Sequence, residues 1–298
     1  MSTSPSPSPS STPRLRYGFG TNGFAHHRLD DVLTVLADLG YDSVGLTLDH
    51  GHLDPFAADL PRRVAQLASR LEQLGLAVMV ETGAPYLLDP WRGHTPTLMC
   101  APGAERRVDL LARAVRVAAD LGAPAVQLAS GPAPEGVPEE EAWKRLTAGC
   151  EEVLELAREH GVALGFEPEP YMFVDTVQRV LELRRRLGDP DLFGVTLDIG
   201  HAHCVEDPPL LDCVERAAPH LVNVQVEDMV RGVHRHLELG TGEIDFPPVL
   251  AALKVSGYRG PVSVEIQGAS LNAPEVARRS LEFLKAAEND AEKAAEPF

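Results

Sequence analysis

Short apolar runs alternate with longer amphipathic stretches along almost the whole chain. The runs are Tyr17–Gly20, Ser43–Leu48, Ala77–Glu81, Ala125–Leu128, Ala163–Glu167, Gly194–Asp198, Val222–Val226 and Val262–Ile266. They have the length and β-branched content of buried strands. Between them, apolar residues recur with helical spacing over Leu29–Leu39, Pro61–Leu74, Arg106–Leu121, Glu139–His160, Val174–Leu187, Pro247–Ser256 and Pro274–Ala287. Gly40, Gly75, Gly122, Gly161, Gly188 and Gly257 follow as helix stops. Eight strand–helix units in succession predict an α/β fold, a parallel sheet closed into a single-domain (β/α)₈ TIM barrel. An open doubly wound sheet is the alternative, but no GxGxxG follows the first strand.

Strand parity sharpens this picture. Val195, Leu197 and Ile199 share one face, and Thr196 and Asp198 the other. Val222, Val224 and Val226 oppose Asn223, Gln225 and Glu227, and Val262, Val264 and Ile266 oppose Ser263, Glu265 and Gln267. Val78 and Val80 oppose Glu81, Leu46 and Leu48 oppose Thr47 and Asp49, and Leu164 and Phe166 oppose Glu167. The apolar side packs on helices, while the inward side ends in a polar or acidic group near the C-terminal mouth, where barrel active sites are built. One or two such groups fit a hydrogen-bonded interior. Carboxylates from five or six strands repel one another unless a cation joins them.

Composition limits the partners. With 44 acidic and 27 basic residues the formal charge is −17, which argues against nucleic acid as a partner. The basic runs Arg62-Arg63, Arg106-Arg107 and Arg184-Arg185-Arg186 fall on expected helices and are read as solvated faces. No apolar run reaches the roughly 20 residues of a membrane span, so no membrane is expected. Cys100, Cys150, Cys204 and Cys213 match no zinc spacing and are read as reduced thiols of a cytoplasmic protein. Residues 1–13 are Ser/Pro-rich and read as a disordered tail, 14–288 as the barrel, and 289–298 as a tail fraying from the last helix.

Three segments carry candidate chemistry. Gly165-Phe166-Glu167-Pro168-Glu169-Pro170 closes the fifth strand, with Glu167 inward and Glu169 one step higher, nearer a substrate. Thr196-Leu197-Asp198-Ile199-Gly200-His201-Ala202-His203 closes the sixth, and His234 and His236 follow the seventh. Three histidines and an aspartate in two adjacent loops favour a functional cluster, with His203 the weaker member. Glu265 on the eighth strand faces Glu167 across the barrel. Two carboxylates on opposite sides of a metal form an acid/base pair for moving a proton beside a carbonyl.

These residues, with Asp198-Ile-Gly-His201 and Gly240-Thr-Gly-Glu-Ile-Asp-Phe246, resemble the xylose isomerase-like TIM-barrel superfamily, the sugar phosphate isomerase/epimerase group, over residues 17 to about 285. The resemblance implies a divalent metal held by Glu167, Asp198 and Glu265, with the third position, normally histidine, falling on Gln225. Three carboxylates and an amide favour Mg²⁺ or Mn²⁺, with Zn²⁺ the lesser option. It also implies that His201 binds substrate and that Glu169 reaches a substrate hydroxyl. His201, His234 and His236 resemble ligands of one zinc in the endonuclease branch, and with Glu169 and Glu81 they are assigned to substrate binding or a second metal. The other histidines of that branch are replaced by Val80-Glu81-Thr82 and Leu128-Ala129-Ser130.

The expected function is therefore a metal-dependent isomerase or epimerase, acting on a sugar, sugar phosphate or cyclitol by proton transfer through an enediolate. The alternatives are a keto-cyclitol dehydratase, a metal-dependent phosphodiesterase or nuclease, and a non-catalytic barrel. The oligomeric state is left open, a homodimer included.

Overall fold

The computed structural model describes residues 14–295. The Ser/Pro-rich segment 1–13 and the last three residues lie outside them. The barrel strands are β1 (Arg16–Gly20), β2 (Ser43–Thr47), β3 (Ala77–Glu81), β4 (Ala125–Ala129), β5 (Ala163–Glu167), β6 (Phe193–Asp198), β7 (Leu221–Val226) and, after a hairpin of β8 (Asp228–Val230) and β9 (Val233–Leu237), β10 (Pro261–Val264). Every barrel pairing is parallel, and β10 closes the ring between β7 and β1. Helices α1 (Leu29–Leu39), α2 (Leu60–Leu74), α3 (Ala104–Leu121), α4 (Glu139–His160), α5 (Val177–Arg186), α8 (Phe246–Val255) and α9 (Ala273–Ala295) occupy the expected positions. The protein is a single-domain (β/α)₈ barrel.

The two faces of each strand do what their parity predicts. Val195, Leu197, Val224, Val226, Val262 and Val264 are fully buried beneath the helices. Thr196, Asp198, Asn223, Gln225 and Ser263 are equally buried but point into the barrel, where only hydrogen bonds or charge compensation make burial tolerable. Gly45 makes room there: a Cβ would lie 2.4 Å from Glu81 Oε1.

Several expectations change. Between β6 and β7 the chain forms α6 (Ile199–Val205) and α7 (Leu210–Ala217), short helices that the sequence reading left unassigned. The segment with His234 and His236, expected as a loop, is antiparallel strand β9. Strand β10 stops at Val264, so Glu265 sits one residue past it, though its N–H still reaches Val226 O at 3.0 Å. The last helix does not fray at residue 289. It stays helical to Ala295 because Ala291 is buried and Lys254 Nζ bonds Glu288 at 2.9 Å and Glu292 at 2.6 Å. Arg107 is half-buried rather than fully solvated, and burial lowers its guanidinium pKa to about 10, while neighbouring Arg106 is exposed. Arg184 also turns inward, its guanidinium bonding Pro190 O and Phe193 O. All four cysteines are free, and no helix of the described residues is long and apolar enough to cross a membrane.

Candidate active site at the barrel mouth

Asp198 ends β6 and caps α6. Its Oδ1 accepts the His201 N–H at 2.8 Å, the usual service of an aspartate to the third residue of a helix. The spacing Asp-Ile-Gly-His thus turns His201 back over the mouth. Gly200 is required between them, since a Cβ would meet Glu227 Oε1 at 2.4 Å. His201 Nδ1 lies 3.0 Å from Glu167 Oε1, an ion-pair distance rather than a well-aligned hydrogen bond. The Gln127 amide donates to the other Glu167 oxygen.

The hairpin supplies the remaining histidines. His234 and His236 are two apart on β9 and therefore share a face. His234 Nε2 is 3.0 Å from His201 Nε2, and the His201 and His236 ring centroids are 5.5 Å apart. Nitrogens of the three rings lie within 4.8 Å of one another, as do donor atoms of Glu167, Asp198 and His201. Asp228 holds the hairpin in place, accepting N–H groups from Met229, Gly240 and Ile244 at 2.9, 2.9 and 3.1 Å.

The other side of the mouth is a second network. Gln225, in register with Asp198 on one side and Ser263 on the other, donates Nε2 to Glu265 Oε2 at 2.5 Å and lies 3.4 Å from Glu81 Oε1. Asn22 and Gln267 donate to Glu265 Oε1 at 2.8 and 3.0 Å, and Thr47 donates to Glu81 Oε2 at 3.0 Å. Glu169, two residues past Glu167, lines a crevice beside the mouth, its side chain bonded to no protein group among the described residues. The nine sites expected from sequence thus all line one mouth. His203, the weaker candidate, instead faces Glu243 at 3.6 Å.

One buried participant was missed as a site residue. Glu227 is fully buried with both oxygens lacking a hydrogen-bond partner, 3.4 Å from His236 Nδ1 and 3.9 Å from His201 Nε2. Its inward parity was legible, but nothing in the sequence shows that α6 and β9 close over it. Gln127 and Asn22 were also missed, because a lone amide in a strand or turn carries no pattern.

The electrostatics follow from crowding. Glu81, Glu167, Glu169, Asp198, Glu227 and Glu265 share one poorly solvated space. Burial raises Glu81, with Glu265 adding to it, and raises Glu227, with Asp198 adding to it. Burial lifts Glu167 to about 7, although His201 opposes it, and Glu169 to about 8. For His201 burial is outweighed by Asp198, Glu167 and Glu169, which push it to about 10. Burial and then the His201 charge lower His234 to about 4. Burial raises Asp198, but the charge and backbone N–H of His201 and the charge of His236 outweigh it and hold this carboxyl below the usual range. Asp198 Oδ2 and Gln225 Oε1, on adjacent strands, are buried oxygens with no hydrogen-bond donor. Surplus carboxylates and orphaned acceptor oxygens are the donor set of a hard divalent cation, and these residues fit one.

The fold and site define a parallel barrel whose strand ends assemble an acidic, histidine-flanked centre. The chain belongs to the family described as xylose isomerase-like TIM barrel, whose profile matches residues 33–287. It is 27% identical over 257 residues, 83% of this chain and 85% of the other, to the L-ribulose-5-phosphate 3-epimerase UlaE of Escherichia coli, and 26% identical over 248 residues, 81% and 83%, to that of Shigella flexneri. Among solved structures, an L-ribulose 3-epimerase superposes with a TM-score of 0.77 at 23% identity, covering 95% of this chain and 98% of the other. A D-tagatose 3-epimerase-like protein gives 0.78 at 21%, covering 95% and 100%.

Proposed function

We propose that the protein is a divalent-metal-dependent sugar epimerase or isomerase that moves a proton on a carbon beside a carbonyl. The observation that carries this reading is the pairing of Glu167 and Glu265 on two sides of one mouth, with Asp198 Oδ2 and Gln225 Oε1 free between their strands. The named epimerase relatives support it. Glu167, Asp198, Gln225 and Glu265 would hold the cation. When bound, it polarises the substrate carbonyl and offsets the charge that proton removal creates.

The chain's own groups do the rest. One of Glu167 and Glu265 takes the proton, leaving an enediolate, and the other returns a proton to the opposite face. Asn22 and Gln267 orient Glu265, and Gln127 and His201 orient Glu167. His201 and His234 face the substrate oxygens, and Glu169 reaches a hydroxyl from above.

The test is elemental analysis of the purified protein, followed by incubation of ketoses and inososes in D₂O. About one divalent ion per chain and deuterium at the epimerised carbon are expected. A metal-free protein active after exhaustive chelation would overturn the metal dependence, turnover with the substrate hydrogen fully retained would replace proton transfer by a hydride shift, and a dehydrated product would assign a dehydratase.

A further inference from the structure

A narrow polar crevice opens off the mouth on the β3–β4 side, lined by Thr82, His94, Arg107, Ser130, Gly131 and Glu169. Glu169 joins it to the centre, since its carboxyl feels Glu167, Asp198 and Glu265. Arg107 is the unusual member. Its Nε donates to Pro96 O at 2.9 Å, while among the described residues neither Nη atom has a protein partner and no carboxylate lies at ion-pair distance. In a chain with 44 acidic residues, a half-buried guanidinium without a carboxylate partner is conspicuous, because even partial burial of an uncompensated charge is costly. Beside it, His94 adopts a left-handed φ of 57°, a conformation held only where surrounding structure enforces it. Burial and the Arg107 charge keep that imidazole below its usual pKa. Thr82 and Ser130 already spend their hydroxyls on Gln127 O and Gly131 O, so Arg107 and His94 are the free donors.

We propose that this crevice is an oxyanion subsite, in which Arg107 and His94 bind the terminal phosphate or carboxylate of the substrate while its carbonyl end lies among Glu167, Asp198 and Glu265. The inference rests on the epimerase reading for the second half of that statement only. The crevice has room for one water-sized group, about 10 Å³, so one oxygen of the anion enters it and the rest of the anion stays outside. A planar guanidinium with two free Nη groups matches that geometry. Glu169, at the inner end, then meets a sugar hydroxyl rather than the anion.

The experiment is calorimetric titration of the metal-loaded protein with a ketopentose 5-phosphate, the free ketopentose and a ketose ending in a carboxylate, alongside deuterium exchange on each. One anionic ketose binds at least about tenfold tighter than the neutral one, and which anion does so identifies the group. Arg107→Gln lowers that anionic-over-neutral ratio by about 10–100-fold, the range for losing a charge-assisted pair. Arg107→Lys keeps part of it. If Arg107 only props its loop, the melting temperature falls while the ratio stands, and the proposal is wrong. Should Arg107→Gln not fold, equal binding of anionic and neutral ketoses by the native protein is enough to overturn it. Arg107-dependent binding without exchange would retain the subsite and remove the epimerase reading; exchange that ignores the anion would do the reverse.

Discussion

In the proposed metal set, Gln225 stands where the family resemblance implies a histidine. Its amide nitrogen faces Glu265, because the reverse orientation would set oxygen against carboxylate, and this leaves Oε1 for a hard cation. Gln225→His should shift preference from Mg²⁺ or Mn²⁺ toward Zn²⁺ or Co²⁺, read by competitive metal dialysis; an unchanged ranking would place Gln225 outside the coordination sphere. Glu265→Gln keeps an oxygen but loses the base. Exchange of the substrate proton should fall by about 10²–10⁴ with only moderate loss of metal, and undiminished exchange would exclude Glu265 as a proton carrier. Gly200→Ala forces a methyl onto Glu227, so a loss of about 1–3 kcal/mol in denaturant unfolding is expected.

At the scale of elements, the β8–β9 hairpin is the decisive addition to the barrel. It packs on α6, where Arg231 donates to His203 O at 3.1 Å and Gly232 N–H to Cys204 O at 3.0 Å, and Asp228 fastens it through the Met229, Gly240 and Ile244 amides. Gly242 lets those amides approach, since a Cβ there would lie 2.3 Å from Asp228 Oδ1. Asp228→Ala leaves buried N–H groups unpaired and should cost about 2–4 kcal/mol in denaturant unfolding. It should also release His234 and His236 from their approach to His201. Histidine ring NMR signals that stay unchanged in a folded Asp228→Ala protein would show that other contacts hold the hairpin.

Across the whole molecule, α9 closes the chain onto its own beginning. Glu288 accepts from Leu15 N at 3.1 Å, Tyr17 Oη at 2.8 Å and Lys254 Nζ at 2.9 Å. Burial raises this carboxyl, but Lys254, Leu15 and Tyr17 outweigh it and hold it below its usual value. A depressed folded pKa contributes stability above the unfolded value and loses it as pH falls through the folded one. The melting-temperature gap between native protein and Glu288→Gln should be widest near neutrality and close below about pH 4. A gap independent of pH would mean that packing, not charge, is what Glu288 supplies. The overall charge of −17 leads to another expectation, no incision of abasic duplex DNA at physiological salt, and robust cleavage would contradict it.

Strand and helix order and the inward parity of Glu81, Glu167, Asp198, Gln225 and Glu265 are local facts, carried by periods of two and 3.6, so the linear sequence determined them. The Asp198–His201 spacing likewise has its meaning within four residues, as a helix cap. What tertiary structure decided is whatever depends on residues distant in the chain. His201 meets His234 across 33 positions, and Gln225 meets Glu81 across 144. Glu227 becomes a buried acid only when α6 and β9 fold over it. Arg107 reads as one more helix-surface cation in the sequence, and only the folded chain shows it half-buried against Pro96 O with no carboxylate at ion-pair distance among the described residues. Periodicity reports which way a side chain points; the cost of burying its charge depends on every element that closes around it.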